Sequence, residues 1–316
     1  MSNKKAVSPH RSKHRSTGTD AEFNYGPWHV EYLLNDGGRL SRIAFNEYDL
    51  LTTEPSGFCP PKHKHGKYED RPVYGYDDCF PSVVACKFPG AEISIPDHGE
   101  VCWLAWQLSK EPDSLTFLVR SKLLPAVFKR KMIFTDSSVV WNFEVLNEGN
   151  EVLPFQHSMH PLVRVEDLRW IELPEFGSAL DWNRNRIVDS MTREKLRNFL
   201  LSLPKGSVEM LFLRDIKSGE MGWQYSNGLS VRTKFPVELF PTIGIWWNNG
   251  GYPDEEGIRR NECAFEPTAG NTSVLTQAYA DGDCLSVGPG GRFAWQVIWE
   301  IRTDLKERND HALTQY

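Results

Sequence analysis

In Phe293–Ile301, Phe293, Trp295, Val297, Trp299 and Ile301 occupy every second position, with Ala294, Gln296, Ile298 and Glu300 between them. Ser138–Leu146 has the same pattern, with Val139, Trp141, Phe143 and Val145 alternating against Asn142 and Glu144. Successive side chains of an extended chain leave opposite faces, so a period of two reads as a strand with one buried face. Shorter runs of this kind lie at Ile93–Ile95, Leu115–Val119, Val208–Leu213 and Leu229–Lys234. Asn227–Gly228, between Trp223–Tyr225 and Leu229–Val231, predicts a hairpin, because that dipeptide tolerates the positive φ of a type I′ turn. Asn249–Gly251 and Gly288–Gly291 mark further turns. Helical spacing is confined to Met191–Leu203, where Leu196, Phe199, Leu200 and Leu203 form a stripe. Asp189 or Ser190 could cap it, and Pro204 and Gly206 would end it. Many short strands joined by turns, with few short helices, predict an all-β fold built as a large antiparallel β-sandwich.

A chain of 316 residues with 40% hydrophobic and 12% aromatic content can bury a sizeable core. Residues 1–22 are polar, basic and unpatterned, and read as a disordered tail; residues 23–316 then form one domain. The tail lacks the apolar segment of a secretory signal, so a cytoplasmic location is expected. No run approaches the roughly 18 apolar residues of a membrane span, which argues against a membrane partner. A net charge of −6 argues against nucleic acid as a main partner. The six cysteines, Cys59, Cys79, Cys86, Cys102, Cys263 and Cys284, include no CxxC pair. Reduced thiols without a metal are therefore expected, and no zinc spacing is found. The oligomeric state is left open.

Four segments group His, Asp, Glu and Asn with aromatic side chains. They are Gly75–Ser82, Pro96–Glu100 followed by Trp103 and Trp106, Gln156–Pro161, and Ile245–Gly251 running on to Glu262–Gly270. Sugar sites need this mixture: rings stack on C–H faces, and hydroxyls need paired donors and acceptors. Each residue also has a plainer reading. His160 before Pro161 could be an ordinary loop residue, Glu266 before Pro267 a solvated turn acid, and Asp77 and Asp78 turn formers. His157 and His160 have a metal-like spacing only on a helix, which Pro161 disfavours.

The order of these segments resembles the galactose mutarotase (aldose 1-epimerase) superfamily, and within it the divergent aldose-epimerase-like branch. His98–Gly99 precedes Trp103 and Trp106; the turn Asn147–Gly149 leads to His160–Pro161; Trp246–Trp247 leads to Glu266–Pro267. The resemblance spans roughly residues 25 to 302 and implies the supersandwich of that family. It also implies acid–base interconversion of sugar anomers, with Glu266 as base, His160 as acid and His98 assisting. Asp78, Trp247, Arg42 and Trp103 would bind substrate, and neither metal nor organic cofactor would be required. The chain departs from the pattern where Glu100 and Val101 stand in place of an arginine that some relatives carry after His-Gly.

The partner so implied is a mono- or oligosaccharide. Three other readings stand beside it: a sugar-binding or regulatory protein without turnover, a hexose-phosphate mutarotase using Lys62, Lys64, Lys67 and Arg71 on the phosphate, and a lyase or hydrolase of polymeric sugar, against which the lack of a secretion signal and of an extra helical domain counts.

Overall fold

The computed structural model describes residues 21–61, 67–188, 191–253, 255 and 259–303. Strand Ser138–Asn147 alternates along its whole length, turning Val139, Trp141, Phe143 and Val145 into the core. It pairs antiparallel with Arg292–Arg302, Phe143 opposite Trp295 and Trp141 opposite Val297. These two strands form the middle of an eight-stranded sheet. On one side follow Ala126–Phe134, Ser114–Arg120 and Gln107–Glu111; on the other follow Ser230–Lys234, Glu220–Tyr225 and Leu168–Glu172.

Two more sheets cover its inner face. In one, Tyr76–Cys79 and Ser158–Pro161 extend a meander of Ala21–Tyr25, Trp28–Leu33 and Arg39–Phe45. The other runs Arg186–Ile187, Ser178–Asp181, Ser207–Arg214, Thr242–Asn249 and Asn261–Thr268. The two sheets meet where Val163 and Cys263 exchange backbone hydrogen bonds of 2.8 Å. Aromatic pairs such as Tyr76 on Trp141 and Phe265 on Trp223 join this layer to the eight-stranded sheet. Apolar burial on this scale supplies the main driving force for the sandwich.

The expected β-sandwich is therefore present, with local differences. The first strand, Ala21–Tyr25, starts two residues before the expected domain boundary, because it pairs with Trp28–Leu33. Residues 1–20 of the expected tail lie outside the described residues. The predicted helix is Arg193–Ser202, and Thr192 caps it by accepting from the Lys195 amide at 3.3 Å. The expected caps Asp189 and Ser190 lie outside the described residues. A second helix, Leu275–Asp281, was not expected; seven residues are too few to show a clear period. The Asn227–Gly228 hairpin forms, but only Gly228 takes a positive φ, 86°. The loop is therefore wider than a type I′ turn: Tyr225 and Leu229 close it, and Asn227 Oδ1 accepts from the Leu229 amide. Among the described residues, no helix is long and apolar enough to cross a membrane.

Candidate functional site

The seam between the two inner sheets brings distant residues together. His160 lies on Ser158–Pro161, directly opposite Asp77 on Tyr76–Cys79. Glu266 lies on Asn261–Thr268, opposite Gly244, so no side chain crowds it from that neighbouring position. His160 Nε2 and Glu266 Oε1 are 3.9 Å apart, with both residues buried at 6% and 4% exposure. A gap of that length is too long for a hydrogen bond.

A tight turn delivers His98. Gly99 has φ of 73°, and a Cβ there would lie 2.2 Å from the Phe80 carbonyl oxygen, so only glycine lets these backbones meet. His98 itself has φ of 60°. Its ring stacks on Tyr68 at 3.6 Å between centroids and stands edge-on to His160 at 5.0 Å. Tyr68, in the short 3-10 turn Lys67–Asp70, donates its hydroxyl to Asp77 Oδ2 at 2.7 Å. The same hydroxyl is 3.4 Å from His160 Nδ1.

Cations surround this cluster. Arg71 reaches Asp77 Oδ2 at 3.0 Å, and Arg39 reaches the same oxygen at 3.2 Å. The Arg71 guanidinium lies over the rings of Tyr68 and Trp103. Arg260 pairs with Glu262 at 3.2 Å and with Glu69. Glu262 in turn accepts from Asn248 at 3.0 Å and from the Trp246 indole at 3.3 Å. Trp103 and Trp246, both half-buried, pack against the Tyr68 cluster, and the half-buried Tyr252 touches both Trp246 and Arg260.

These surroundings set the ionisation. Burial works against charge on Asp77, but Arg39, Arg71 and the Tyr68 hydroxyl hold it below the usual carboxylate range. Glu266 has no such help, and burial alone pushes its carboxyl up to about 8. His160 is pushed down to about 3, first by burial, then by His98, Arg260 and Arg39, against the opposing pull of Asp77. Burial thus works against charge on both members of the pair.

His160, Glu266, His98 and Trp103 meet in one place, whereas three other expected residues do not. Asp78 points to the opposite face of its strand. There it accepts from Tyr76, from His157 at 3.0 Å and from Arg130, and it is fully buried. Asp77 holds the site position instead. Trp247 pairs with Cys263 and packs in the main core with 1% exposure; its neighbour Trp246 shares the face of Glu266. Arg42 is tied to Asp49 and Glu31, away from this cluster. Two of the three corrections are parity errors: in a strand, the adjacent residue faces the other way. Tyr68, Arg39, Arg71 as a partner of Asp77, and Arg260 were missed as site residues. Tyr68 and Arg260 lie in loops without period, and Arg39 enters from another strand.

Of the cations considered for a phosphate, Arg71 is engaged with Asp36, Asp77 and the Cys102 carbonyl. Lys62 and Lys64 lie outside the described residues, as does the Lys67 side chain. Among the described residues, no three His, Cys, Asp or Glu side chains converge as a metal cage requires.

No protein-family model matches the chain, and no curated protein matches it in sequence. Solved structures do match its shape. A Synechocystis sp. PCC 6803 protein superposes with a TM-score of 0.72 at 15% identity, covering 94% of this chain and 100% of its own. A candidate aldose 1-epimerase of Escherichia coli K12 gives 0.69 at 15% identity over 90% and 99%. A galactose mutarotase-like protein of Lactobacillus casei ATCC 334 gives 0.63 at 15% identity over 90% and 100%. Such identities speak to architecture rather than chemistry. By that measure this chain has the galactose mutarotase-like fold.

Proposed function

We propose that the chain is a carbohydrate isomerase of the aldose 1-epimerase kind, with His160 and Glu266 as its acid–base pair. The observation that carries this reading is the pair itself. An imidazole and a carboxyl, 106 positions apart in sequence, are brought to 3.9 Å yet share no hydrogen bond. Anomer exchange opens the ring by removing the proton of the anomeric hydroxyl while the ring oxygen is protonated. Both oxygens are bonded to the same carbon, so acid and base must lie close together. That is why the short separation suits the reaction. Closing the ring on the other face returns both protons. Both groups are tuned away from their usual ionisation by burial, as acid–base residues commonly are. Asp77 and His98 offer acceptor and donor sites for hydroxyls, and Trp103 and Trp246 offer ring faces.

The test is anomer equilibration by purified protein across a sugar panel, 6-phosphates included, followed by polarimetry. The reading expects equilibration of at least one sugar well above the buffer rate, and its loss in Glu266→Gln. Binding of a sugar with only the buffer rate across the panel would favour a sugar-binding or regulatory protein instead.

A further inference from the structure

Beside the seam lies a second cavity, of about 250 Å³, that the acid–base pair leaves unused. Arg71 belongs to both places. Its Nη2 holds Asp77, the strand partner of His160, and the same side chain lines the cavity. Its Nε is buried with no hydrogen-bond partner among the described residues, and a buried N–H left open is costly. Of the other lining residues, Thr52 accepts from the Gly75 amide through Oγ1 at 3.0 Å, which leaves its own proton to give. Phe58 supplies an apolar face: it lines the cavity, is 42% exposed and belongs to neither core cluster.

The charges of these walls are matched. Arg260 pairs with Glu69 and Glu262, and Arg71 with Asp36 and Asp77. With Arg39, which shares Asp36 and Asp77, and Arg259 on the lining, four guanidiniums meet four carboxylates among the described residues. A dianionic phosphate brought to Arg260 would face Glu69 and Glu262 and would have to displace one of them. A neutral hydroxyl both donates and accepts, so paired guanidiniums and carboxylates can serve it without any pair breaking. Hydroxyl partners beside an exposed ring face suit a sugar. We infer that this cavity is a second carbohydrate subsite, which takes a neutral sugar unit next to the one at His160 and Glu266. This rests on the sugar reading of that pair and narrows its substrate class. The unit is either the second residue of an oligosaccharide or a free sugar bound beside the substrate.

Isothermal titration calorimetry on the full chain separates these sources. The probes are glucose, galactose, maltose, lactose and glucose 6-phosphate. An oligosaccharide subsite gives one maltose or lactose per chain, bound about tenfold or more tighter than the hexoses. A free-sugar subsite gives two hexoses per chain. In either case Phe58→Ala should weaken the added binding about fivefold, the size of one aromatic contact. Thr53→Trp, at an exposed lining position, should fill the cavity and remove that binding. Glucose 6-phosphate should gain nothing over glucose.

The absence of binding that depends on Phe58, across all five probes, overturns the subsite. So does a glucose 6-phosphate that binds about tenfold or more tighter than glucose and loses the gain in Arg260→Gln, which would make the cavity an anion site. The two proposals fail separately. Phe58-dependent binding in a protein that equilibrates no sugar leaves the subsite standing and sinks only the isomerase reading. Equilibration of a hexose, with no probe sensitive to Phe58→Ala or Thr53→Trp, sinks only the subsite.

Discussion

Strands Tyr76–Cys79 and Ser158–Pro161 carry an Asp and a nearby His on each of their two faces, and the two pairs differ in how completely they are bonded. On the core face, Asp78 uses both carboxylate oxygens, one on Tyr76 and His157, the other on Arg130. His157 is packed among Phe128, Phe143 and Trp295. On the other face, Asp77 Oδ1, Arg39 Nη2 and Arg71 Nε are buried with no hydrogen-bond partner among the described residues, while His98 Nδ1 lies 3.2 Å from Asp97 Oδ2. Glu266 stops short of His160. Buried polar atoms are costly when left unpaired, so a cluster that keeps several open is suited to a ligand or ordered water. The core-face cluster also leaves Arg130 Nε unpartnered but ties the sheets together through Asp78, whereas the other keeps more atoms open, as binding of a ligand's hydroxyls would require.

The comparison can be broken from either side. Glu266→Gln and His160→Gln should each cut anomer turnover by about 10²- to 10⁴-fold while the denaturant midpoint holds or rises. Loss of the fold along with activity would mean that the cleft pair is structural. Asp78→Ala should do the opposite. It strands Arg130 in the core, and breaking a buried pair from one side costs about 3–5 kcal/mol. A midpoint in urea within error of the wild type would refute the structural role of that face.

A third effect is the pH dependence of stability. Glu266 is raised from its ordinary 4.5 to about 8, so its protonated form supports the fold fully below pH 4.5. That support drains away as pH rises to about 8. His160 is depressed from 6.5 to about 3, so its contribution is complete above pH 6.5 and is lost as pH falls toward 3. Glu266→Gln should therefore gain on the wild type between pH 5 and 8, by on the order of a few kcal/mol. Melting curves that stay parallel across this window would show that Glu266 is ionised throughout. Smallest of all is Arg42→Ala, a partly exposed residue away from the cluster. It should cost under about 1 kcal/mol and leave turnover unchanged. A large drop in kcat/KM would return Arg42 to the site.

Much of the architecture was legible because alternation is a local signal. Ser138–Asn147 and Arg292–Arg302 show it plainly, and they form the centre of the largest sheet. Which of two adjacent residues faces the cleft was not legible. Tyr76–Cys79 is buried on both faces, so apolar alternation gives no clue to whether Asp77 or Asp78 meets His160. Its pairing with Ser158–Pro161 decides that, and pairing is a long-range property. Trp246 and Trp247 pose the same problem in a strand buried on both sides. Tyr68 had no signal at all, since a single turn of 3-10 helix in a charged loop has no period to read.

The imidazoles of His157 and His160 report the two faces side by side, so one titration tests the difference between them. The protein is labelled with ¹⁵N at its histidines and titrated with the sugar it equilibrates fastest. The account predicts that His160 and His98 signals move with sugar concentration while His157 stays fixed. A His157 that shifts as much as His160, or a His160 that ignores a sugar the protein turns over, would contradict it.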